Sequence, residues 1–170
     1  LKQLTAKEWK TWHTERSRLV DLACALGLAC GTLGKIAGDV ILLAQTEVGE
    51  AHEAPAPGRG GSSAMPHKQN PVASVVAAAA AVQAPGLVAT MLAAMPQEHE
   101  RALGHWQAEL AEWPDLVVAA AGSARAVAGA LKGLRVDPVR MRTNLDAVRA
   151  SVPRATAQEW FDPALAESAA

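Results

Sequence analysis

Tyrosine is missing from this chain of 170 residues and phenylalanine occurs once. With no basic block either, the sequence offers neither stacking platforms for bases nor an electrostatic footprint for a phosphate backbone, so no nucleic-acid partner is expected. Cysteine is nearly absent. Cys24 and Cys30 stand six apart inside a helical, apolar pattern, a spacing suited neither to a CxxC site nor to a short disulfide, and they read as reduced, packed thiols. No apolar run long enough to span a bilayer escapes a charge or a proline, and no signal peptide opens the chain, so no membrane partner and a cytoplasmic location are expected. Strand alternation is missing beyond a few residues, and no internal repeat is visible.

What is present is apolar and helical. Half of the residues are hydrophobic and the net charge is -1, which fits a domain with a substantial core. Thr5 and Glu8 form a capping-box pair ahead of a pattern running through Trp9, Trp12, Leu19, Leu22, Leu26, Leu33, Ile36, Val40 and Leu43. It predicts a helix from about 6 to 47, bent near Gly27, Gly31 or Gly34, with Ala23, Ala25, Ala29 and Ala37 allowing close helix packing. Val72 to Ala94 is almost wholly apolar and alanine-rich, which predicts a helix buried on all sides and kinked at Pro85 and Gly86. A third helix is expected from about Ala102 to Lys132, kinked or divided at Pro114 and ended by Gly133. Trp106 and Trp113 on its face read as core. A short helix from about Pro138 to Arg149, capped by Asp137, precedes a weakly ordered tail after Ala150. The expected fold class is all-α, a long-helix bundle, with residues 1–133 as a central helical domain and 134–170 as the start of a C-terminal segment.

The chemistry concentrates between the first two helices. Gly60 and Gly61 open a loop carrying Ser62, Ser63 and Lys68, and it closes on Asn70 and Pro71. Asn70 is a good N-cap and Pro71 a good first helical residue, so the alanine-rich helix is predicted to start there with free amide donors facing the loop, an anion-binding geometry. Read blandly, the two serines only shape a turn. Glu47, Glu50 and Glu53 read more readily as solvated or salt-bridged carboxylates than as an acid/base cluster, and His52 has no partner at ligand spacing. A second polar interruption, Met95 to Arg101, contains His99 and Arg101. These could present donors to a carboxylate, or Glu98 and Glu100 could favour a helix start with Arg101 paired to them.

Gly61, Ser62, Ser63, Met65, Pro66, Lys68, Asn70 and Pro71 occupy eight positions in a window of eleven. In that arrangement they resemble the signature of the fumarase/aspartase superfamily, Gly-Ser-Ser-x-Met-Pro-x-Lys-x-Asn-Pro. The resemblance implies the central helical domain of that superfamily, incomplete here because its members are much longer, and a chain beginning at Leu1 looks like an internal piece. It implies Ser62 as the proton-transfer residue, with Ser63, Lys68, Asn70, His99 and Arg101 binding the substrate. It also implies a small polycarboxylate substrate, self-association as a homotetramer whose sites draw on three subunits, and little activity from this piece alone. Two branches compete. In the fumarate-releasing, nucleotide-cleaving branch a serine and an arginine hold a phosphate at the positions of Trp106 and Leu110, and neither side chain here can neutralise a phosphate dianion. Gln45 to Glu50, Met95 to Arg101 and Val136 to Met141 resemble instead the cycloisomerase branch, whose members close a lactone. That reaction implies no cofactor and no metal, because the attacking carboxylate belongs to the substrate.

Overall fold

A computed structural model describes residues 14–55, 58–65, 68–99 and 102–151. Its elements are α1 (Ser17–Leu43), β1 (Ala51–His52), α2 (Val72–Ala93), α3 (His105–Lys132), β2 (Arg135–Val136) and α4 (Pro138–Ser151). The fold is the expected all-α bundle: α2 packs against both α1 and α3, and α1 also touches α3.

Small side chains make this packing close. The core runs through Ala23, Cys30, Ala84, Met91, Leu116 and Ala120, and a second cluster joins Ala37, Ala77 and Val127. Trp113 packs against the first cluster as a core residue, and Trp106 is half-buried at the start of α3. Where α1 crosses α2, a Cβ added to Gly27 would lie 2.8 Å from a Val88 methyl, and one added to Gly34 would collide with Ala81. The helices therefore approach at the distance that alanine and glycine allow. Ala25 and Ala29, expected to help, are exposed.

Several boundaries differ from the sequence reading. Thr5, Glu8, Trp9 and Trp12 lie outside the described residues, but α1 begins only at Ser17, whose amide donates to Glu15 Oε1 at 2.9 Å. The Ser17 hydroxyl and this amide together hold the Glu15 carboxyl below its ordinary pKa. At its other end α1 stops at Leu43 rather than 47. The chain turns there, with the amides of Val48 and Gly49 both donating to the Gln45 carbonyl and Gly49 at φ 64. Pro114 does not divide α3, and α2 likewise continues through Pro85. Each proline forfeits one helical bond, and burial of neighbours such as Ala84 and Leu116 holds the helix on either side.

Three ties lock the bundle's periphery. Arg16 donates from Nε to Glu109 Oε2 at 2.9 Å and from Nη2 to Oε1, stapling the start of α1 to α3 through a buried carboxylate. The strands β1 and β2, unexpected from sequence, pair antiparallel with Ala51 opposite Val136 and His52 opposite Arg135. Asp137 caps α4 as expected, accepting from the Arg140 amide at 2.9 Å. None of the α4 residues is buried. It docks by polar bonds: Arg140 donates to the Val48 and Glu47 carbonyls, and Asn144 to the Val48 carbonyl and Glu50.

Much apolar surface stays uncovered. By length and composition alone α1, α2 and α3 could each cross a membrane, with 17%, 28% and 28% of their most apolar windows buried within the chain. Charges break up α1 (Asp21, Lys35, Asp39) and α3 (Glu109, Glu112, Asp115, Arg125). Each would cost about 2.5–3.5 kcal/mol at a bilayer centre.

Candidate active site

The glycine-led loop is a closed hairpin. Asn70 donates its amide to the Gly60 carbonyl at 2.7 Å, Gly61 bridges Gln69 in antiparallel sense, and Lys68 donates its amide to the Met65 carbonyl at 3.0 Å. Only glycine fits at position 60, where φ is 81 and an added Cβ would lie 2.9 Å from the Asn70 carbonyl oxygen. Ser62, Ser63, Lys68 and Asn70 thus stand on one short loop, with Ser63 exposed and the other three half-buried.

Ser62 has a turn-forming role in this state. Its Oγ accepts the Met65 amide at 3.1 Å. The bond also bears on reactivity, since an N–H aimed at a hydroxyl oxygen lowers the energy of the corresponding alkoxide.

The start of α2 differs from the expectation. Its first free amides do not face the loop, because Glu53 takes them. Glu53 Oε2 accepts from the Ala73 amide at 3.1 Å, while Oε1 accepts from the Ser74 amide at 2.8 Å and the Ser74 hydroxyl at 2.7 Å. The N-cap position falls on Pro71 rather than Asn70, and the helix begins at Val72. A carboxylate is a stronger acceptor for these donors than an amide oxygen, so Asn70's side chain is released from capping. Glu53, read from sequence as a solvated or salt-bridged group, is a structural cap.

Between the loop's base and α3 lies a cavity of about 310 Å³, bordered by Gly60, Gln69 and Asn70. Ser62, Ser63 and Lys68 lie off its lining.

His99 occupies the other end of the molecule. It follows the C-terminus of α2, exposed and at φ 55, whereas the loop precedes the N-terminus. The 22 residues of α2 separate the two by about 33 Å at 1.5 Å per residue. Arg101, with Glu100, Pro66 and His67, lies outside the described residues. Among the described residues no group of three or more His, Cys, Asp or Glu side chains could hold a metal ion.

The chain as a whole resembles known proteins. The model of the family described as "Lyase" matches residues 1–86, and the chain belongs to that family. Within it, the chain is similar to the 3-carboxy-cis,cis-muconate cycloisomerases. It is 58% identical over 134 residues to that enzyme of Pseudomonas aeruginosa, covering 79% of this chain and 29% of the relative. With the Pseudomonas putida enzyme it shares 53% identity over 141 residues, covering 83% of this chain and 33% of the relative. The crystal structure of the 3-carboxy-cis,cis-muconate lactonizing enzyme from P. putida superimposes with a TM-score of 0.73 at 45% identity, over 89% of this chain and 37% of that one. The chain therefore spans about a third of the length of these relatives.

Proposed function

We propose that this chain is the loop-bearing helical part of a 3-carboxy-cis,cis-muconate cycloisomerase, an isomerase acting in aromatic-compound breakdown. The observation that carries the reading is the intact loop, with Ser62, Ser63, Lys68 and Asn70 held on one closed hairpin, in a chain 58% identical to a protein of that name.

The reaction is an internal addition. One carboxylate oxygen of the substrate bonds to an alkene carbon, the π electrons move to the carbon next to another carboxylate, and that carbon receives a proton, so nothing leaves. Ser62 supplies the proton, and its alkoxide is stabilised by the Met65 amide that already donates to it. Lys68 and Asn70 hold the carboxylate on which negative charge accumulates. Ser63 and, from another copy, His99 and Arg101 complete the binding of a small polycarboxylate. Charge develops on the substrate's own carboxylate, so the step calls for no cofactor.

Self-association follows from the same reading. Ser62 and His99 lie at opposite ends of α2, so a ligand that touches both is shared between copies, which supports self-association as a homotetramer. The exposed apolar faces of α1–α3 supply the surface for it. As part of such an assembly, the 170-residue chain alone has little activity.

A chimera tests the assignment. Residues 14–151 replace the aligned segment of the P. aeruginosa relative, and lactone formation from 3-carboxy-cis,cis-muconate is followed. The chimera turns over, and Ser62→Ala in it loses at least about 100-fold in kcat. A Ser62→Ala chimera with undiminished kcat refutes the role of Ser62, and a folded but inert chimera refutes the substrate.

A further inference from the structure

The cavity beneath the loop has a chemistry that the reaction above does not use. Its far wall is α3, where Gly122, Ala126 and Gly129 fall on one face at i, i+4 and i+7. Glycine inside a helix costs about 1 kcal/mol relative to alanine. Packing does not demand these two, since nothing lies within 4 Å of the position a Cβ would take on either. Their effect is to leave room.

The charge around that room is net positive, two arginines against one carboxylate. Arg125 comes from the same face of α3, Arg59 from the loop and His52 from β1. Neither arginine makes a side-chain hydrogen bond or ion pair among the described residues. The one carboxylate on the lining is Glu53, and both of its oxygens are occupied by α2 donors. The wall therefore combines a spent acceptor with unspent donors, and the amide groups of Gln69 and Asn70 add polar contacts at the loop's base.

We infer that this cavity is an anion-binding compartment that takes a carboxylate group, with Arg125 as its principal ligand and Arg59 as its second. A guanidinium presents two parallel N–H groups matched to a carboxylate, and a cavity of about 310 Å³ admits a small organic acid. The inference stands on the cavity's own residues and touches the proposed reaction only through Asn70. The occupant is either a carboxylate of the substrate or a free anion.

The test uses the 170-residue chain titrated with tricarballylate, and separately with inorganic phosphate, in low-chloride buffer. Amide shifts of residues 122–130 report binding, and circular dichroism confirms folding. Tricarballylate binds the parent. Arg125→Gln and the cavity-filling Gly129→Val each weaken binding at least about tenfold, and Arg125→Lys by less. In the active chimera, a KM raised by Arg125→Gln at constant kcat assigns the carboxylate to the substrate. An unchanged KM with tricarballylate binding lost assigns the compartment to a free anion. A parent that binds neither probe, or a folded Arg125→Gln chain that binds as tightly as the parent, overturns the inference. The Ser62→Ala chimera reports on the reaction alone, so the two ideas fail separately.

Discussion

A single carboxylate decides how α2 begins. Glu53 accepts three hydrogen bonds, two of them from amides that a helix leaves without partners. Replacing it with alanine removes the cap, and the expected loss is about 1–2 kcal/mol, read as a lower urea midpoint at unchanged m. Sequence reading found the right place and the wrong group: Asn70–Pro71 carries the local signs of a helix start, but the cap arrives from twenty residues upstream of Ala73, and no local spacing rule encodes that. Cys30 makes a second case at this scale. Burial pushes its thiol pKa above the ordinary 9.0, so the folded state holds the neutral thiol more tightly than the unfolded chain does. The stability it contributes is complete below the ordinary thiol pKa and falls as pH rises through that range towards the raised value. At mildly alkaline pH iodoacetamide labels half-buried Cys24 first. Cys30 reacts only as fast as the protein unfolds, as peptide mapping over time would show.

The helices themselves were legible because alanine, leucine and valine recur at helical spacing over long runs. Their ends were not, because side-chain caps such as Glu15 and turns such as Gln45 to Gly49 cut α1 shorter than its apolar pattern. Two-residue strands leave no periodicity to read. Glycines in α1 give a sharp check on the packing account. Gly31→Ala meets open space and stabilises by about 0.5–1 kcal/mol through helix propensity. Gly34→Ala gains the same propensity but drives a methyl into Ala81, and overpacking of this kind costs about 1–3 kcal/mol. Thermal midpoints moving in opposite directions would support the crossing geometry. The staple between α1 and α3 is stronger still. Glu109→Ala removes both of the bonds that Arg16 donates to this buried carboxylate, and the expected destabilisation is about 3 kcal/mol, with Glu109→Gln recovering part of it through one remaining hydrogen bond.

At the scale of the whole molecule, apolar surface exceeds what the chain covers. Leu28, Val82 and Leu103 are 75%, 81% and 93% exposed, and patches of this sort mark places where protein meets protein. Sedimentation of the purified chain should show self-association that weakens when Val82 and Leu28 become Lys, with helix content retained. The loop's residues were legible because they are contiguous, but the cap of the helix it runs into was not. The cavity was not, because Arg125, Gly129 and His52 meet only after α3 folds back across the loop's base. Distance along α2 has one more outcome, and it is a genetic one. If the serine hydroxyl and the imidazole of His99 serve one ligand from different copies, two dead chimeras, one lacking each group, will rescue one another when denatured together and refolded as a mixture. Some hybrid particles then inherit both defects at one mouth and none at another, and the revived mouths work at the parental rate.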